Sequence, residues 1–218
     1  GTDWQTYNSD GVFQTFSSNS YSGEFDNSND YFDISSAAGF VNSASAFSFT
    51  AWAKTSQSNL EPIISGGTSN TNQCTIFFNS GNVLRYICNT GSASTIEQSI
   101  STNTWYHIGV TQSGTSAKLY VNGTLSASGT MNAPGSTTGN NLSIGRRPYD
   151  SNKFGGFIDE VALFNRELTA SEISEIYTNK SYNSFTALWR FENNANDESG
   201  NYNATNNGVT FSTSDKPY

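Results

Sequence analysis

The sequence is short of most residues that catalysis, metal chelation or membranes demand. Its 218 residues include one histidine, one methionine, two cysteines and four prolines. The lone His107 lies in "WYHIG" with no serine or cysteine nucleophile pattern around it, so a catalytic triad has nothing to rest on. It reads as a strand histidine packed among its neighbours. Two cysteines and one histidine do not make a zinc site. No glycine-rich phosphate loop ending in Lys-Ser or Lys-Thr is present. No run of about 18 apolar residues occurs, so no helical membrane insertion is expected. There is no signal-peptide pattern and no initiator methionine, and the expectation is a mature chain or one excised from something longer. Basic residues are also scarce. Ten Lys and Arg face eighteen Asp and Glu, a net charge of −8. Such a surface repels phosphate backbones, so nucleic acid is not an expected partner.

What is abundant is Gly, Ser, Thr and Asn, the residues of turns and strand surfaces, together with aromatics at 14%. That aromatic content argues against disorder. Apolar residues alternate with polar ones in "FSFTAWAK" (47–54), and strand signals recur in "WYHIGVTQ" (105–112), "AKLYVNG" (117–123) and "LSIG" (142–145). Asn122-Gly123 is a strong type I′ hairpin turn. Trp52, Trp105 and Trp189 fall on strands and read as core rather than as sugar platforms. "SGG" (65–67) reads as a turn. Strands of this number and spacing imply a single all-β domain, an antiparallel sandwich or jelly roll. Asn79-Ser80-Gly81-Asn82 reads as a hairpin turn that places Cys74 and Cys88 nearly opposite each other. Either a disulfide or two buried thiols satisfies that placement.

One helix is expected, over "LTASEISEIYTN" (168–179). Thr169 and Glu172 form a capping box, Leu168 is placed to staple onto Ile173, and Ile173, Ile176 and Tyr177 give a short apolar stripe. Its expected role is to cover part of the sandwich.

The preceding strand, "GGFIDEVALF", carries adjacent acids. Strict alternation puts Asp159 with Phe157, Val161 and Leu163, and Glu160 on the opposite face with Ile158, Ala162 and Phe164. On that reading they cannot form one site. Glycosidases need two carboxyls facing one bond at about 5 to 9.5 Å, and Glu61 and Glu97 are isolated in their segments. An enzyme is therefore not expected.

The two ends resemble each other: "YNSDGVFQTF" near the start and "YNATNNGVTF" near the end repeat at about 195 residues, roughly one domain. The match is short and of low complexity, so chance also accounts for it. Asn-x-Ser/Thr sequons at Asn122, Asn141, Asn179 and Asn203 are of the number that chance gives in so Asn-, Ser- and Thr-rich a chain.

Taken as a set, "AFSFTAWAK", "NTWYHIGVTQSGTSAKLYVNGTLSASG", "NNLSIGR" and "FGGFIDEVALFNRELTASEISEIY" resemble a laminin-G-like, concanavalin A-like jelly roll. "YSGEFDNSNDYFDI" resembles the family's early strand pair. "LWRFENNANDESGNYNATNNGVTF" resembles its opening segment, yet stands last. The resemblance, closest to bacterial surface and phage structural repeats, implies an all-β concanavalin A-like antiparallel jelly-roll sandwich with one short helix. It divides the chain into an N-terminal segment (1–20), the jelly roll (21–183) and a C-terminal segment (184–218). The last either folds back as this domain's own first strand or is donated to a neighbour.

The family is associated with glycan or protein binding and with structural calcium. Fold analogy establishes neither. Related glucanases place a calcium ligand at the position matching Asp159, and the opening-type segment would add Glu192, Asn194 and Asp197, oxygen donors of the kind Ca²⁺ takes. The alternative is that these carboxylates are held by backbone N–H groups or by Arg146, Arg166 or Arg190. Glu160 fits that alternative better. For ligand binding, the loop "GRRPYDSNKFGG" offers Arg146, Arg147, Tyr149, Asp150 and Asn152, with "GGTSNTNQ" (66–73) beside it, since sugars are held by aromatic faces with amide and carboxylate hydrogen bonds. The alternative for that stretch is a solvated loop or a subunit contact.

Three function classes follow. The first is a non-catalytic extracellular, cell-surface or virion-surface recognition module binding glycan or a protein surface. The second is a structural subunit that assembles with copies of itself. The third, disfavoured, is a polysaccharide-active enzyme.

Overall fold

A computed structural model describes residues 4–7, 11, 13–16, 18–37, 39–57, 59–69, 71–88, 95–135 and 142–218. The sequon at Asn141 and Asn70 of the 66–73 stretch lie outside these residues. Strands β1 (Trp4–Tyr7) and β2 (Phe13–Phe16) pair with each other as a separate hairpin. The others are β3 (Ser22–Asp26), β4 (Tyr31–Ile34), β5 (Ala46–Thr55), β6 (Glu61–Ser69), β7 (Asn72–Asn79), β8 (Val83–Cys88), β9 (Thr95–Ser99), β10 (Tyr106–Ser113), β11 (Ser116–Val121), β12 (Thr124–Thr130), β13 (Leu142–Ile144), β14 (Gly155–Phe164), β15 (Ala187–Trp189), β16 (Thr205–Asn207) and β17 (Thr210–Ser212). Among the described residues they form two antiparallel sheets. One has eight strands in the order β12-β11-β10-β5-β14-β3-β17, with β15 also pairing on β14. The other has seven, in the order β16-β4-β13-β6-β7-β8-β9.

Alternation explains the sandwich. Phe47, Phe49, Ala51 and Ala53 of β5 face inward with Ile108 and Val110 of β10, and meet Phe32, Ile34, Ile64, Ile76, Phe78 and Leu84 from the other sheet in one core. Cys74 and Cys88 are directly opposite in the β7–β8 register, point into this core and are joined as a disulfide. The turn at Asn122-Gly123 has φ of 50° and 76°, as a type I′ hairpin requires. The 65–67 stretch is strand rather than turn. Gly67, at φ 139°, sits at an irregularity in the β6–β7 pairing that lets the chain stay paired where a turn was expected.

The helix α1 (Ala170–Asn179) carries the expected capping box, and Lys180 closes it in the left-handed conformation. Such a cap contributes about 1 kcal/mol. Ile173 and Ile176 join Leu168, Tyr120, Ala162, Phe164 and Leu188 in a second cluster on the outer face of the eight-stranded sheet. Phe16 of the N-terminal hairpin joins it too. The C-terminal segment pairs within its own chain: β15 on β14, β16 on β4 and β17 on β3, so it contributes to both sheets.

Gly156, near the start of β14, has φ 134°, and a Cβ there would run into the carbonyl oxygen of Lys54 on the neighbouring strand. Gly156→Ala is expected to cost about 2 kcal/mol or more. A denaturant midpoint shifted down with unchanged slope would show it, and an unshifted midpoint would refute the constraint.

Candidate functional site

Parity along the seven-stranded sheet puts a second set of side chains on its outer face. Between inward-facing Phe32 and Ile34, β4 turns Tyr31 and Asp33 outward. β7 does the same with Gln73, Thr75 and Phe77, and β8 with Arg85, while Ser65 of β6 and Ser143 of β13 complete the row. Ser65 and Thr75 hydroxyls lie 2.7 Å apart, and Thr75 donates to Gln73 at 2.9 Å.

The 146–153 loop folds over this face as a tight hairpin in which Arg146 pairs with Lys153. The Arg146 guanidinium stacks 3.7 Å from the Tyr31 ring centre and reaches Asp33 at 3.2 Å. Arg147 is buried, pairs with Asp150 at 2.6 Å, and lies 5.5 Å from the Tyr149 ring and 5.9 Å from Phe77. The buried Arg147 Nε has no hydrogen-bond partner among the described residues. The Tyr149 hydroxyl donates to Gln73 Oε1. Burial, against a smaller opposing effect of Arg147, pushes the phenol up to about 12. Asn152 N–H donates to Asp150 at 2.9 Å. The five loop residues singled out from sequence thus share one surface. Sequence reasoning missed Tyr31, Asp33, Phe77, Arg85 and Lys153, although the alternation in "YFDI", "NQCTIFFN" and "VLRYIC" marks the first four as facing away from the core.

The acids of β14 behave differently from simple alternation. Asp159 lies opposite Trp52 and Ala162 opposite Thr50, so three steps along β14 match two along β5. The extra residue is Glu160, in the left-handed region at φ 48°. This bulge shifts parity. Val161 and Leu163 turn inward with Ile158, and Asp159 shares the outer side with Ala162 and Phe164. Asp159 and Glu160 are both fully buried and close enough for each charge to bear on the other, which corrects the reading that they cannot share a site. Asp159 accepts from Asn19 Nδ2 at 2.5 Å and from Glu160 N–H at 2.8 Å. Glu160 accepts from Arg190 Nε at 3.2 Å. Burial raises both carboxyls, Asp159 well above its usual range and Glu160 to about 7, with Arg190 opposing the rise at Glu160. His107, in register with Trp52 on the same side, is fully buried between Trp52 and Tyr177, and burial followed by the Lys180 charge lowers it to about 3. It is a neutral packed histidine at physiological pH.

The acids expected to hold calcium do not fit the ion. Asp197 accepts from the backbone N–H of Leu188 (2.8 Å), Tyr202 (3.0 Å), Ser199 (3.2 Å) and Asn201 (3.2 Å) and from the Ser199 hydroxyl. Its lone pairs are spent on organising its own loop. Glu192 accepts Ser20 N–H at 3.0 Å and lies 3.7 Å from Arg190. Among the described residues, no three acidic, histidine or cysteine side chains converge as a metal-binding group.

A carboxyl whose pKa is raised by folding stabilises the fold below its unfolded value and loses that contribution as pH climbs through the folded one. For Glu160 that loss runs from about pH 4.5 to about 7. Asp159→Asn, which removes a buried charge while keeping the shape, is expected to melt above the parent at pH 8 and to show a smaller difference at pH 4. Thermal melts across that range check it, and a variant less stable at pH 8 than at pH 4 relative to the parent would contradict it.

A family model described as the concanavalin A-like lectin/glucanases superfamily, of the laminin G type, matches residues 26–174. No curated protein matches the sequence. Among solved structures, the fold is similar to a Bacteroides ovatus protein provisionally described as carbohydrate-binding, with 18% identity and TM-score 0.71 over 94% of this chain. The chain spans 63% of that protein's length. Domain 4 of an extracellular arabinanase from Geobacillus stearothermophilus, in complex with arabinotriose, is similar at 20% identity and TM-score 0.53, over 65% of this chain and 70% of that one. Domains LG4-5 of the mouse laminin α1 chain are similar at 11% identity and TM-score 0.55, over 72% and 46%. At these identities the likeness establishes the fold alone. With its two antiparallel sheets and with more than half its length matched by the family model, the chain belongs to the concanavalin A-like lectin/glucanases superfamily.

Proposed function

We propose that the chain is a non-catalytic, extracellular recognition module that binds glycan through the outer face of the seven-stranded sheet. The observation that carries this reading is the convergence of Arg146, Arg147, Tyr149, Asp150 and Asn152 with Gln73, Tyr31 and Phe77 on one surface. Fixed guanidinium and amide groups beside aromatic edges are what hydroxyl-rich ligands need. The carbohydrate-binding description of the Bacteroides ovatus protein and the arabinotriose held by the arabinanase domain support the same reading.

A non-catalytic role is favoured by the placement of the acids. Asp159 and Glu160 are sealed from solvent, and Asp33, Glu97 and Asp150 are each engaged by an arginine. None is poised with a second free carboxyl across a cleft. The disulfide suits an oxidising compartment. Among the described residues, no helix is long and apolar enough to cross a membrane. The C-terminal segment, paired with its own chain, supports a self-contained module over one completed by a neighbour's strand.

Glycan-array screening followed by calorimetric titration tests the reading. A saturable hit is expected, weakened about tenfold or more by Arg147→Ala. Binding that survives this change and Tyr149→Ala together, or turnover of a polysaccharide, would overturn it.

A further inference from the structure

Resting on that reading, the charge pattern of the same face narrows the ligand. Arg85, Arg146, Arg147 and Lys153 are four of the ten Lys and Arg residues of a chain whose net charge is −8, and all four lie on this surface. Three have carboxylate partners: Arg85 with Glu97 at 2.6 Å, Arg146 with Asp33 at 3.2 Å and Arg147 with Asp150 at 2.6 Å. Lys153 makes no ion pair among the described residues.

Its surroundings make that absence costly. Lys153 and Arg146 are paired across the hairpin, and both stand over one ring, Tyr31, at 5.9 and 3.7 Å. Two cations therefore share one aromatic ring, and of the two only Arg146 has a carboxylate in contact among the described residues, Asp33. Burial and the Arg146 charge lower the Lys153 ammonium from its ordinary value, with Asp150 opposing. The site holds one more positive charge than it neutralises, in a partly desolvated position where Coulomb energies are larger than in water. The guanidinium of Arg146 is held by stacking and by Ser143 Oγ at 3.3 Å, which fixes its plane in advance of any ligand.

We propose that the ligand of this face is an acidic saccharide, whose carboxylate or sulfate group sits between Lys153 and Arg146 above Tyr31. The neighbouring Tyr149 ring and the Asp150 and Asn152 side chains then meet the rest of the sugar. The anion supplies the missing counter-charge, and a bidentate contact to Arg146 orients it. The overall negative charge disfavours long polyanions at a distance, but beyond about 8 to 10 Å it is screened at physiological salt, so the local pair decides for a short acidic segment.

Calorimetric titration with two pairs of probes tests this: trigalacturonic acid with its methyl ester, and a sulfated galactan tetrasaccharide with its desulfated form. The expected result is an acid-to-ester or sulfated-to-desulfated affinity ratio of about ten or more. The acid pair and the sulfate pair distinguish the two sources of the anion. Lys153→Gln is expected to bring that ratio close to one, and Asp33→Asn, which removes the competing carboxylate, to raise it. The second variant gains binding, so misfolding cannot imitate it. Equal binding of charged and neutral forms, or a ratio unmoved by both variants, overturns the acidic preference. If neutral glycans bind and are lost on Arg147→Ala, that failure leaves the glycan reading standing. If no glycan of any kind binds, both fall.

Discussion

The pairing of β14 is the constraint on which the rest depends. This strand is bonded to β5, β3 and β15, so the central sheet, the early strand pair and the returning C-terminal segment all take their register from it. Its bulge at Glu160 lets one strand serve inward-facing Val161 and Leu163 and still place two acids on the far side. Those acids then tie distant segments together. Asp159 holds Asn19, Glu160 holds Arg190, and Glu192 holds Ser20. A cluster with more carboxylates than nearby guanidinium groups is tolerated because burial keeps protons on it, which stabilises the fold towards acidic pH.

The two outer faces of the sandwich are used in opposite ways. The eight-stranded sheet is covered by α1, by Phe16 of the N-terminal hairpin and by the 182–188 stretch, and its polar side chains, among them His107, Asp159 and Glu160, are buried beneath that cover. Among the described residues, the seven-stranded sheet is covered by the 146–153 hairpin, whose arginines stack on rings and pair with carboxylates while Lys153 makes no ion pair. Glycan recognition is proposed for the second face because its charged and amide groups stand at a surface, whereas on the first the polar groups lie behind buried aromatic rings.

Much of this was legible in advance. The alternation in "FSFTAWAK", the Asn-Gly turn and the Thr169–Glu172 capping box depend on residues near one another in sequence, and each formed as expected. The cysteine placement was also local, being set by one hairpin. The misreadings have a common cause. The faces of Asp159 and Glu160 were assigned by a strict period of two, and a bulge breaks that period without any glycine to announce it. The Ser65–Gly67 stretch was assigned to a turn from its composition, whereas pairing with β7 keeps it extended.

By itself, the sequence determined the class of fold and the position of the helix, because periodicity, capping and turn chemistry act over a few neighbouring residues. Only the tertiary structure decided that the C-terminal segment returns to its own sheets, that Asp197 accepts backbone amides of its own loop, and that Lys153 and Arg146 share one tyrosine ring. Each of those depends on which distant segments meet, and that is fixed by strand pairing across the whole chain.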